Sequence, residues 1–194
     1  MATHKDLVTK MFTIGHSTHP IEEFIELLRS NGVRRVIDIR TIPKSRRNPQ
    51  FDTDALAKSL RAAEMDYVHL KELGGLRRPL RESPNMGWRN ASFRGYADYM
   101  QTPEFEAALN RAIQLGSEKP AALMCAEAVP WRCHRSLVAD ALMVRGIEVL
   151  EIVNTSAPKP HKLTPFARVK GNEIIYPAND TAELFEPAEN KATQ

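Results

Sequence analysis

The sequence predicts an α/β protein: three layers, with a mostly parallel five-stranded sheet and helices on both faces. Three observations predict it. Short apolar, β-prone runs alternate with helix-periodic stretches five times along the chain, the pattern that builds parallel sheets. Glycine, proline and polar clusters punctuate the changes of period. No apolar run approaches the ~20 residues of a membrane helix, and a 42% hydrophobic, 26% charged composition over 194 residues suits a globular chain.

The elements follow in order. Residues 11–14 are the first strand and run into Gly15, His16 and Ser17. Pro20 suits the first turn of a helix whose apolar face is Phe24, Ile25, Leu27 and Leu28, with Gly32 as its stop. Residues 33–39 read as the second strand, carrying Asp38 near its end and Arg40 just beyond. The basic stretch 41–51, with Pro43 and Pro49, reads as a loop, and Asp52 as the N-cap of a helix through Ala63.

Residues 67–70 make a third strand and open a long irregular segment, 71–94, with Gly74, Gly75, Pro79, Pro84 and Gly87. Inside a compact domain such a length usually serves function. Helical pattern resumes at 96–100 and again from Pro103 to Gly116. A buried-type strand at 121–124, a helix at 133–145 closed by Gly146, and a fifth strand at 147–153 complete the alternation. Residues 168–176 resemble a small hairpin turning at Gly171. The reading is one domain over 11–176 with flexible termini at 1–10 and 177–194, the latter an acidic tail expected to be disordered.

Charge is unevenly spread, although its net is only +3. Residues 34–94 carry fourteen Lys/Arg against seven Asp/Glu, whereas 173–194 carry one against five. A local basic field suits an anionic small molecule or a nucleic acid. The N-terminus lacks the apolar core of a secretory signal and there are two cysteines, so a reducing, cytoplasmic location is the expectation.

In open α/β sheets, ligands bind beyond the C-terminal ends of the strands, and right-handed crossovers bring those ends to one edge. That edge collects His16 and Ser17, Asp38 and Arg40, Arg46 on the following loop, and Cys125, Glu127, Arg132, Cys133, His134 and Arg135 after the fourth strand. The expectation is a thiol-dependent enzyme acting on a nucleotide- or phosphate-like anion. Cys125 or Cys133 would be the nucleophile and Glu127 or His134 its acid–base partner, with His16 and Asp38 orienting the site. Ser17, Arg40, Arg46, Arg132, Arg135 and His161 would bind the ligand.

Cys133 lies at the predicted helix start, where unpaired amides favour a thiolate. Alternatives stay open at this point. Cys125, Cys133 and His134, completed by His16 or His161, make a candidate zinc set of unusual spacing. The cysteines also suit a transient disulfide or plain packing. As a different class, the basic 40–94 region, with Trp88, Phe93 and Tyr96 among its arginines, suits nucleic-acid or partner binding. Cofactor and oligomeric state are left open.

Several short motifs occur together: Thr13 to Ser17, Val36 to Arg40, Leu73-Gly74-Gly75, Met124 to Glu127 with Pro130, Cys133-His134-Arg135, and His161 to Thr164. In this order they resemble the bacterial and archaeal domain of unknown function 488 family. The resemblance implies an α/β fold in a cytosolic protein and supplies no activity. A looser likeness is to rhodanese-type sulfurtransferases, in which a strand ends in Cys and the next helix opens with Arg-Ser, as at Cys125 and Arg135-Ser136. Nine residues separate Cys125 from Arg135, so the intervening loop has to bulge.

Overall fold

The computed structural model describes residues 10–178. The expected flexible termini lie outside the described residues, apart from Lys10, which opens the first strand, and Pro177 and Ala178. Five parallel strands alternate with helices: β1 (Lys10–Gly15), α1 (Ile21–Ser30), β2 (Arg35–Asp38), α2 (Thr53–Ala62), β3 (Asp66–His69), α3 (Ala91–Tyr99), α4 (Pro103–Glu118), β4 (Ala121–Cys125), α5 (Arg135–Met143) and β5 (Glu148–Ile152). Two additions follow. The two-residue β6 (Lys159–Pro160) pairs antiparallel to β5, and β7 (Arg168–Lys170) with β8 (Glu173–Ile175) forms a separate hairpin. The sheet thus has six strands where five are predicted. The sixth is too short and proline-rich for a periodic signal, and proline is tolerated there because the strand is an edge.

The strand order is β3-β2-β4-β1-β5-β6. Helix α1 lays Phe24, Leu27 and Leu28 against one face of the sheet, joined by Leu56 and Leu60 of α2. The opposite face carries Tyr96 of α3, Phe105 and Leu109 of α4, and Leu137 and Val138 of α5. Spacing at i, i+3 and i+4 gives α1 its single apolar stripe, whereas α5 is buried nearly throughout. Alternation along each strand divides the sheet's side chains: Met11, Ile37, Leu123 and Cys125 join the α4–α5 layer, and Phe12, Ile14, Val36 and Met124 join the α1–α2 layer.

This order places a switch point between the neighbouring strands β1 and β4. The chain leaves β1 toward α1 on one face and leaves β4 toward α5 on the other, which opens a crevice at their C-terminal ends. Residues beyond the strands bridge it, His16 N–H donating to Cys125 O and Ser17 N–H to Ala126 O, both at 2.9 Å.

The helix predicted from residue 133 starts later, at Arg135. Pro130 opens a 3₁₀ turn over Pro130–Arg132, and Cys133 N–H closes it on Pro130 O at 2.9 Å. Proline needs no N–H donor at a first turn, so the loop spends one turn before the helix begins. Cys133 therefore sits in extended backbone outside α5.

Candidate functional site

The strand ends carry two clusters, one on each face of the sheet. The first is built around Arg135, the opening residue of α5, which is only 1% exposed. Its Nη1 donates to Cys125 Sγ at 2.7 Å and to Glu127 O at 3.0 Å, and Nη2 donates to Ala128 O at 3.4 Å. Among the described residues no carboxylate pairs with it, and its Nε has no hydrogen-bond partner. Gly15 makes this reach possible. It stands in register with Cys125, and a Cβ there would lie 1.8 Å from Glu127 O and 2.9 Å from Arg135 Nη1.

Both cysteines are free and buried, and their sulfurs are 2.7 Å apart, with Cys133 donating to Cys125. Burial works against charge on Cys125, but the Cys133 thiol, the Arg135 charge and contact with the Glu127 backbone outweigh it and pull its pKa down. Cys133 is pushed the other way, first by its hydrogen bond to Cys125 and then by burial. Of the two sulfurs, Cys125 is thus the more readily ionised. Placement near a helix start favours Cys133, and one amide, that of Arg135, does reach its sulfur, at 3.4 Å, but the hydrogen bond to Cys125 and burial outweigh it.

His134 sits beside the pair. Its Nε2 contacts Ile39 O at 3.1 Å, so that nitrogen carries the proton, and Nδ1 faces Cys133 Sγ at 3.6 Å. Burial lowers its pKa to about 4, leaving a neutral ring near pH 7. Gly75 packs on this ring, where a Cβ would lie 3.1 Å from Nδ1.

The second cluster occupies the α1–α2 face. Asp38, fully buried, takes a two-pronged contact from Arg40, Nε to Oδ1 at 2.9 Å and Nη2 to Oδ2 at 2.6 Å, and a third bond from Tyr67 Oη at 2.8 Å. Arg40 also donates to Phe51 O and reaches His16 Nε2 at 3.2 Å. His16 stacks on Phe51 with centroids 4.2 Å apart, and burial above all lowers its pKa to about 4. A cleft of about 520 Å³ opens here, lined in part by His16, Ser17, Arg40, Lys44, Arg47 and Glu127. The side chains of Lys44 and Arg47 have no hydrogen bond or ion pair among the described residues, and both line the cleft, which Glu127 also borders.

The single site expected from sequence is therefore divided. His16 and Asp38 do not orient the thiols, because their side chains lie on the other face; the segment Ala126–Ala128 forms the wall between the two clusters. Ser17, Arg40 and Glu127 line the cleft, while Arg46 does not and Arg132 stands exposed on the loop. His161 belongs to neither. It is clamped between Asp140 at 2.8 Å and Glu151 at 2.7 Å, with Thr164 and Tyr176 also bonding Asp140. Sequence reasoning placed Lys44 and Arg47 on the loop beyond the second strand but chose Arg46 from it, and it missed Tyr67 and Phe51, which carried no signal.

Among the described residues no three His, Cys, Asp or Glu side chains are grouped to hold a metal. The zinc set weighed from sequence is not assembled, since His16 and His161 are both engaged elsewhere. The long segment after β3 is a packed lid. Trp88 lies against Phe93, Phe166 and Tyr176, Asp98 ties down Leu80, Ser83 and Asn85, and Arg77 stacks on Tyr99 at 3.6 Å.

Residues 20–142 match the family described as "Domain of unknown function DUF488". The chain belongs to that family. The match takes in both clusters of the DUF488 protein apart from Gly15 to Ser17, and of the His161 clamp it includes Asp140 but not His161 or Glu151. No curated protein and no solved structure matches the chain. Among the described residues no helix is long and apolar enough to cross a membrane.

Proposed function

We propose that this protein is a thiol-dependent enzyme of the cell interior that acts on an anionic ligand at the C-terminal edge of the sheet, with Cys125 as its nucleophile. One observation carries this reading: a guanidinium with 1% exposure whose only partner able to bear negative charge, among the described residues, is the Cys125 sulfur. A guanidinium is a permanent cation, and burying it without a counter-ion costs several kcal/mol. Carbonyls of Glu127 and Ala128 offset part of that cost, and a Cys125 thiolate supplies the missing charge.

The anion would bind in the adjacent cleft through Lys44, Arg47 and Ser17, against the Ala126–Ala128 wall. Arg40 has a different role, because Asp38 already neutralises it; it fixes His16 and the cleft floor. Motion of the 126–132 segment would join cleft and thiol. The rhodanese-like resemblance is compatible in one respect: the arginine opening the helix after the cysteine strand folds back on the thiol, with the 3₁₀ turn absorbing the longer interval. A nucleic-acid-binding module explains less. Its exposed arginines remain, but Tyr96 is buried and Trp88 and Phe93 are partly buried against the core.

Thiolate absorbance near 240 nm against pH tests the reading. The wild type is expected to titrate one sulfur below the ~8.5 of a free thiol. Cys125→Ser should remove that step and Arg135→Met should move it upward. A wild-type curve unchanged by either substitution would sink the proposal.

A further inference from the structure

We infer that Cys125 and Cys133 work as an exchanging dithiol, Cys125 attacking a low-molecular-weight disulfide and Cys133 resolving the product. The inference rests on the reading of Cys125 as an anionic nucleophile and adds the substrate class and the second sulfur. The geometry is that of a pair ready to bond. The sulfurs stand 2.7 Å apart, within about an ångström of the ~2.04 Å covalent distance. Plain packing of two inert thiols leaves Arg135 unexplained, because that one residue contacts both sulfurs, through Nη1 at 2.7 Å and through its amide at 3.4 Å. Its guanidinium thus answers Cys125, and its amide reaches Cys133.

The steps balance with a disulfide, RSSR, as the oxidant. The Cys125 thiolate attacks one sulfur of RSSR, forming a mixed disulfide and releasing RS⁻. Cys125 has then lost its charge and no longer holds the Cys133 proton. The remaining acceptor is His134 Nδ1, 3.6 Å from Cys133 Sγ and unprotonated because the opposite nitrogen is turned to Ile39 O. The Cys133 thiolate attacks Cys125 Sγ, forms the Cys125–Cys133 bond and expels the second RS⁻, which takes up the proton. Two electrons pass from the dithiol to RSSR, and one RS⁻ and one RSH leave, the RS⁻ taking from solvent the proton that Cys125 gave up when it ionised. An attacking sulfur with thiolate character beside a neutral resolving thiol is the usual division of labour in such exchange.

The test uses the full chain with oxidised glutathione as RSSR, read by intact mass and peptide mapping. The wild type should lose two hydrogens, map a Cys125–Cys133 cross-link, and recover both hydrogens with dithiothreitol. Cys133→Ser should stop at one glutathionyl group on Cys125, and Cys125→Ser should yield neither product. The wild-type cross-link is decisive without any variant, so a folding defect in Cys133→Ser does not blunt the experiment. A wild type that keeps a stable glutathionyl adduct, or does not react while its low-pH thiolate step is present, overturns the exchange and leaves the Cys125 reading standing. Absence of the thiolate step removes that reading as well.

Discussion

At the scale of single residues, the molecule manages buried charge in two ways. Arg135 is answered by a thiol, whereas His161 is answered by two carboxylates, Asp140 and Glu151. Burial alone would lower the His161 pKa, but the hydrogen bonds to Asp140 and then Glu151 outweigh it and raise it to about 9. A raised cationic group stabilises the fold fully below its unfolded value of ~6.5 and loses that contribution as pH climbs through the folded value. Wild-type urea midpoints should therefore fall between pH 6.5 and about 9 by more than those of His161→Gln. Parallel curves for the two proteins in that window would show that the clamp is not a charged one. Neither role was readable from the motif His161 to Thr164. The sequence places a histidine after the last strand of the main alternation, and only packing against α5 brings Asp140 to it.

Among the elements, the 126–132 segment and β1 depend on each other. Gly15 lacks a side chain at the one register position where Glu127 O crosses the strand, a Cβ there falling 1.8 Å from that oxygen. Gly15→Ala should therefore displace the segment and destabilise the protein by about 1–3 kcal/mol, the usual cost of overpacking, while speeding alkylation of Cys125. Denaturant unfolding and labelling by mass spectrometry would measure both. Stability within ~0.5 kcal/mol of wild type with unchanged labelling would mean that the segment does not rest on β1. The glycine was visible in sequence as part of Gly15-His16-Ser17, but its purpose was not, because its contact lies 112 residues along the chain at Glu127.

For the whole molecule, part of the basic excess of residues 34–94 is spent inside the fold and part is not. Arg35 is spent on Asp66 and Glu118, Arg40 on Asp38, and Lys44 and Arg47 remain turned to the cleft. An anion bound there stabilises the folded state by mass action. Phosphate at ten times its Kd should add about 1.4 kcal/mol, a rise in Tm of roughly 3–5 °C for a chain of this size. The double variant Lys44→Ala, Arg47→Ala should lose the rise, and chloride at matched ionic strength should not produce it. Equal shifts with both salts, or in the double variant, would remove the cleft from the proposed function.

The alternation of periods, the five main strands, the five helices and the edge that carries the polar residues were all determined by sequence alone. Burial periodicity is local, and crossover handedness then aligns the strand ends. The tertiary structure decided how that edge is divided. Strand order puts β1 beside β4 while their chains depart to opposite faces, so His16 and Cys125 are neighbours in backbone and strangers in side chain. It also decided which sulfur is the more readily ionised. The helix terminus favoured Cys133 on local grounds, but Cys133 donates to Cys125 and a buried arginine reaches past it to the same sulfur. Strand pairing and charge burial are long-range terms, and no window of sequence contains both partners.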